Sequence, residues 1–265
     1  MEKLFYISSS SLTDEQSSTL LTCEGAYSQC GIWISEYAKD FEKAYQLTEE
    51  WGVSLKVGHA YFSKKEREKS AVLVSRGGGP KTVKHDWDSL NRTYDFSRLC
   101  PKCGMDKIQI DPFYLCSEPK YNKVKVYPLD DIYDVFFAEK EWYRQYLAPL
   151  GIESRPVMIG VKTPRVSQTT VQLVIHDVES EMNMTPYEKY ECNACGRIKY
   201  SPKIIDFYPV PEVVPELPIF RSKEYVLTGL LAYRRVFITQ QVWQLLVSHK
   251  VLKGWYWEPT ILRMP

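Results

Sequence analysis

The sequence predicts an α+β fold: mixed sheets and a few helices, with a split, zinc-ribbon-like pair of cysteine knuckles. Three observations point there. Two Cys-x-x-Cys-Gly knuckles stand far apart, Cys100-Pro101-Lys102-Cys103-Gly104 and Cys192-Asn193-Ala194-Cys195-Gly196. Segments of helical period and segments of alternating β-branched residues both occur along the chain. Hydrophobic content of 44% and charged content of 25% are those of an ordinary globular protein able to bury a core.

Taken in order, Leu4-Phe5-Tyr6-Ile7 is a short apolar start followed by polar turn material. Ser35 to Trp51 reads as an amphipathic helix, with Tyr37, Phe41, Ala44 and Tyr45 on one face and Gly52 as its stop. Val53 to Phe62 is strand-like. The mixed charges Lys64 to Lys69 are a solvated surface segment. Ala71 to Val74 is a strand candidate, and Gly77-Gly78-Gly79 after it is a flexible loop; no Gly-Lys-Ser/Thr opens a helix there to cradle phosphate.

Beyond the first knuckle come Ile108, Ile110, Phe113 and Leu115, then Val124 to Tyr127, as alternating apolar segments. A helix over about Glu139–Leu147 puts Trp142 and Tyr146 on one face, and Pro149 and Gly151 end it. Thr170 to Val178, β-branched and nearly alternating, is the strongest strand. Pro202, Pro211, Pro215 and Pro218 punctuate an extended crossing. Strand, helix and strand close the chain: Arg235–Ile238, an N-cap at Thr239, Gln240 to about Lys250 burying Val242, Leu245 and Leu246, then Gly254–Trp257. Residues 1–95 are expected to form an N-terminal α+β region, a candidate subdomain, and residues 96–265 a zinc-stapled domain.

The knuckles carry the chemistry. Four thiolates in two such pairs suit tetrahedral zinc, with metal–sulfur bonds of about 2.3 Å. Their separation far exceeds the ~15–20 residues of a compact ribbon, so one structural Zn2+ held by Cys100, Cys103, Cys192 and Cys195 would tie distant parts of the chain together. Four cysteines close the coordination sphere, which argues against a catalytic metal. Redox dithiols and a metal-free cluster are the alternatives. Cys23, Cys30 and Cys116 lack ligand spacing; Cys116, in Phe113-Tyr114-Leu115-Cys116, reads as a small buried residue.

No catalytic constellation appears. His59, His85, His176 and His249 are scattered, and His176 and Asp177, as strand neighbours, point to opposite faces. The expectation is a protein that is not an enzyme. Asp130, Asp131 and Asp134, and again Asp177, Glu179 and Glu181, read as solvated faces, or as a negative patch for a basic partner. Aromatic content of 14%, with 19 Tyr and 7 Trp, suits both core and interface. Trp255 and Trp257 read as core, with Tyr256 turned outward as an anchor. A formal charge of +1 gives no global case for nucleic acid or anionic membrane. No run approaches the ~18–20 apolar residues of a membrane span and no signal core leads the chain; seven cysteines, an odd count with two pairs in knuckle form, fit a reducing compartment better than a disulfide scaffold, so a cytoplasmic protein is expected. A zinc-ribbon nucleic-acid-binding protein is the alternative, resting on Lys102, Lys107, Arg197, Lys199 and Lys203 around the knuckles.

The two widely separated knuckles, together with Ile219-Phe220-Arg221, Tyr225, Tyr233-Arg234 and a helix leading to Lys253-Gly254, resemble the bacterial double-CXXCG motif family. The resemblance covers roughly residues 96–265. It implies an immunity protein of the swarm-inhibition toxin type: a cytoplasmic, non-enzymatic inhibitor that binds one cognate toxin domain and occludes it. Only the four knuckle cysteines carry over as site residues; toxin-contacting positions differ with the toxin and are not assigned.

Overall fold

Residues 1–76, 87–129, 132–228, 231–251 and 257–260 are described by a computed structural model of the chain. The fold class is α+β, with helices set among three sheets. The chain divides into two compact units, one of Met1–Lys69 with Lys203–Tyr208 and one of Ser70–Pro202 with Pro209–Pro265. The first unit therefore stops short of residue 95. The segment from Ser70 onward belongs to the second unit because its strand is paired on both edges there.

In the first unit, β1 (Glu2–Ile7) leads to α1 (Asp14–Leu21), β2 (Tyr27–Ser28), β3 (Ile32–Ser35), α2 (Phe41–Glu50), β4 (Lys56–Tyr61) and α3 (Lys64–Lys69). The sheet runs β2-β3-β1-β4 with antiparallel neighbours. A capping box starts α1: Thr13 Oγ1 accepts from the Gln16 amide at 3.2 Å, and the Gln16 side chain accepts from the Thr13 amide at 2.9 Å.

The helix expected from Ser35 begins six residues later. Ile32–Ser35 is claimed by β1 as a sheet partner, and the chain then turns, the Ala38 amide donating to the Ser35 carbonyl. Tyr37, placed on the apolar face by periodicity, is 71% exposed. Gly52 does stop the helix. Its amide donates to the Glu49 carbonyl and that of Val53 to Thr48, with Gly52 at φ +65°, the left-handed closure that glycine adopts freely. The charged stretch at Lys64 is α3, with no buried residue.

The first unit's own core gathers Ile7, Leu20, Cys23, Ile32, Ile34 and Ala44. Residues 203–208 complete it. Ile204 accepts from the Ala60 amide at 2.9 Å, Phe207 meets Phe62 edge-on at 5.0 Å, and Asp206 pairs with Lys3 at 2.8 Å.

The second unit holds β5 (Val72–Ser75), α4 (Leu90–Thr93), β6 (Tyr114–Leu115), β7 (Val126–Pro128), β8 (Phe136–Glu139), α5 (Lys140–Trp142), β9 (Ser154–Ile159), β10 (Arg165–Leu173) and β11 (His176–Asp177). After these come β12 (Lys189–Glu191), β13 (Ile198–Tyr200), β14 (Ile219–Thr228), β15 (Leu231–Thr239), α6 (Gln240–Ser248) and β16 (Trp257–Pro259). One sheet runs β6-β9-β10-β8-β7. The other runs β12-β13-β14-β15-β5-β16, with β11 alongside β14. Both sheets feed one core: Leu115, Phe137 and Val157 from the first, Leu73, Val236 and Ile238 from the second, closed by Val242, Trp243 and Leu246 of α6. Each fully buried aliphatic or aromatic side chain contributes about 1.5–3 kcal/mol.

The run from Thr170 to Val178 is not one strand. β10 ends at Leu173, Val174 and Ile175 cross over, and β11 pairs in parallel with β14 in the other sheet. Its β-branched residues serve both sheets. The helix expected at 139–147 exists as α5 continued by a π-helical turn over Tyr143–Leu147; Trp142 and Tyr146 lie 5.5 Å apart and Gly151, at φ +81°, ends it. Thr239 occupies the N-cap of α6 by backbone conformation, without a side-chain capping bond. Arg235, fully buried, donates to the carbonyls of Ser75, Arg76 and Pro202, joining β15 to β5 and the proline-punctuated crossing. Gly77–Gly79, Lys253, Gly254, Trp255 and Tyr256 lie outside the described residues, and Trp257 is core, 4% exposed.

Candidate metal centre

Each knuckle is the same turn. The Cys100 amide donates to Met105 and the Gly104 amide returns to Cys100 at 2.8 Å; the Cys192 amide donates to Arg197 and the Gly196 amide returns to Cys192 at 2.8 Å. Gly104 and Gly196 sit at φ +65° and +69°, left-handed values that explain glycine after the second cysteine of each pair.

Both knuckles hang on one hairpin. The second lies at the tip of β12–β13, and β13 pairs with β14, Lys199 opposite Tyr225. The first is tied to β15, where the Ala232 amide donates to the Cys103 carbonyl at 2.8 Å. An ion pair between Asp106 and Arg197, just past the two glycines, links the knuckles directly. Met105, Ala232 and Tyr225 pack around the cysteines.

All four sulfurs lie within 4.8 Å of one another. Cys100 and Cys192 sulfurs are 3.9 Å apart and those of Cys103 and Cys195 3.7 Å, all four being free thiols. With metal–sulfur bonds of about 2.3 Å, a regular tetrahedron has edges of about 3.8 Å. Those two edges match a tetrahedral thiophilic ion, and all four sulfurs lie close enough together to share one. Three cysteines are buried and Cys195 is half-buried.

The thiols are not equivalent. The amides of Ala194 and Cys195 point at the Cys192 sulfur and pull it down to about 6, against burial. In the first knuckle the Lys102 amide lowers Cys100 below the ordinary thiol value, against burial. Burial pushes Cys103 up to about 12. The Arg197 amide favours the Cys195 thiolate, but burial and the neighbouring thiols outweigh it and raise that group. Crowding four thiols resists full ionisation, and a dication would relieve it.

Other expected residues fall differently. Cys116 is exposed: it follows Leu115, which points inward from β6, and the next position faces out. Cys23 is buried and Cys30 exposed. Asp134, expected on a solvated face, is 4% exposed and pairs with Lys107; Asp177 lies between Arg221 and Arg234, and Glu181 pairs with Lys223. Asp130, Asp131 and His85 lie outside the described residues. The knuckle-flanking cations are largely engaged: Lys107 and Arg197 in ion pairs, Lys199 buried in β13, and Lys203 over the Tyr6 ring in the first unit. His59 lies on β4, His176 on β11 at 3.7 Å from Glu153, and His249 beside Tyr146 after α6. No sequence pattern marks the Asp106–Arg197 clasp; Arg197 directly follows Gly196, but Asp106 stands two residues beyond Gly104. Among the described residues no helix is long and apolar enough to cross a membrane.

No protein-family profile, curated protein or solved structure matches this chain. The fold and the centre define an α+β protein with a compact four-cysteine cluster compatible with a metal ion.

Proposed function

We propose that this chain is a cytoplasmic immunity protein that binds one cognate toxin domain and neutralises it by occlusion, its scaffold stapled by a single structural zinc ion. Cys100, Cys103, Cys192 and Cys195 would hold the ion. When bound, zinc supplies cross-linking and charge neutralisation to the four thiolates, and four protein ligands leave no place for a reacting water. The observation that carries the reading is the convergence of both knuckles on the β14–β15 hairpin, an architecture suited to rigid presentation of surface. The resemblance to double-CXXCG proteins supplies the class of partner.

Recognition falls to surface residues. The first unit exposes Tyr27, Tyr37, Tyr45 and Tyr61, amphipathic side chains favoured at interfaces. Nucleic-acid binding draws less support, because Lys107 and Arg197 are already paired. Co-expression with the product of the adjacent upstream gene tests the reading. A stable complex and relief of growth inhibition are expected; neither complex nor relief would overturn it.

A further inference from the structure

A second site lies in the same unit, apart from the thiols. A cavity of about 270 Å³ opens between the two sheets, walled by β9, β10, β14 and β15 and by the segments around Lys107 and Asp134. Its ionisable lining is unbalanced. Among the described residues, Lys107, Arg155, Arg221 and Arg234 face only Asp134 and Asp177, a local excess of two positive charges in a chain whose net charge is +1.

Both carboxylates are already committed. Asp134 accepts from the Lys107 ammonium at 3.4 Å and from the Arg234 backbone amide at 3.2 Å. One oxygen of Asp177 sits 2.7 Å from the Arg221 Nε and the other 3.1 Å from an Arg234 terminal nitrogen. The two terminal nitrogens of Arg221 make no hydrogen bond to a described residue. Arg155 has no carboxylate partner among the described residues.

The walls are polar and fixed. Gln109 and Gln172 each donate to the other's carbonyl oxygen, at 2.9 and 2.7 Å, which locks both amides. Burial pushes the Tyr94 hydroxyl up, keeping it a neutral donor. Arg234 stacks over the Tyr225 ring at 4.7 Å, so its plane is held. Cations gathered in a partly desolvated recess call for a counter-anion, and guanidinium forks match the oxygens of carboxylates and phosphates two at a time. The volume lies just below that of drug-sized pockets and suits a small molecule.

We propose that this cavity binds a small dianionic oxyanion, a phosphate or dicarboxylate group, on Arg155, Arg221 and Arg234. The anion would occupy the unpaired guanidinium nitrogens and balance the excess charge, leaving the Asp177 and Asp134 pairs in place. Nothing in this site depends on the toxin-binding reading.

Calorimetric titration of the full chain with inorganic phosphate, malonate and acetate, at constant ionic strength, tests it. One phosphate or malonate per chain is expected, with a dissociation constant of about 1 mM or below and acetate at least tenfold weaker. The stronger of the two dianions identifies the ligand class. Arg155→Gln, at an exposed position, should leave the thermal melt unchanged and weaken binding at least tenfold; Arg221→Gln should do the same where it folds. The absence of saturable heat with both dianions would overturn the site. So would binding that Arg155→Gln leaves untouched.

Discussion

Replacing Asp134 by asparagine exposes how much of the second unit's stability rests on one buried pair. The Asp134 and Lys107 side chains are 5% and 6% exposed, their charged atoms 3.4 Å apart. Burial alone would raise the carboxyl, but Lys107, then Arg221 and the Arg234 amide, hold it below its ordinary value. Asparagine keeps an oxygen for the Arg234 amide and removes the charge, so the loss falls on Lys107. Leaving a buried charge without its partner costs about 3–5 kcal/mol.

The expected loss is therefore about 3–5 kcal/mol, read as a drop of about 10 °C in the melting transition. Urea unfolding of the wild type, Asp134→Asn and the Asp134→Asn/Lys107→Met double variant at pH 7 measures it. The double variant should regain at least about 2 kcal/mol, since an apolar pair avoids both desolvation terms. A loss under about 1 kcal/mol would refute the reasoning.

Two further outcomes are accessible. Metal analysis should return one zinc per chain, lost in Cys103→Ser and in Cys192→Ser alike, and cobalt in its place should show the absorption of a tetrahedral tetrathiolate; a metal-free wild type would remove the ion from the account. Glu118 is held down to about 2 from 4.5: burial opposes this, but Ser167, Thr169, the Gln168 amide and Arg165 donate to it inside the β10 irregularity. Its contribution is complete above about pH 4.5 and is lost as pH falls through 2. Discounted for its partial exposure, Glu118→Gln should cost about 1–2 kcal/mol at pH 7 and flatten the acid limb of the stability curve between those values; an unchanged limb would exclude the cluster.

The four-cysteine cluster was legible because Cys-x-x-Cys-Gly is local chemistry: spacer and glycine impose the turn wherever it stands. Strand and helix types near the C-terminus were legible for a similar reason, since Val242 and Leu246 keep helical period. The errors lie where tertiary pairing overrides pattern. Ser35 fits the start of a helix that runs to Trp51, yet β1 takes Ile32–Ser35 as a strand. Thr170–Val178 alternates as one strand although two sheets divide it. Asp134 beside a charged run gave no sign of burial, because its partner Lys107 is remote in sequence. The anion cavity was invisible for the same reason: Arg155, Arg221 and Arg234 come from three strands, and no spacing rule relates them.

The return of residues 203–208 to the first unit has a consequence for biosynthesis. The Ile204 carbonyl, the Phe207 ring and the Asp206 carboxylate complete that unit. They leave the ribosome long after Lys69, by roughly 7–30 s at about 5–20 residues per second. Until then the nascent N-terminus has the Ala60 amide, the Phe62 ring and the Lys3 ammonium awaiting their native contacts. Truncation after Lys69 would make that transient condition permanent.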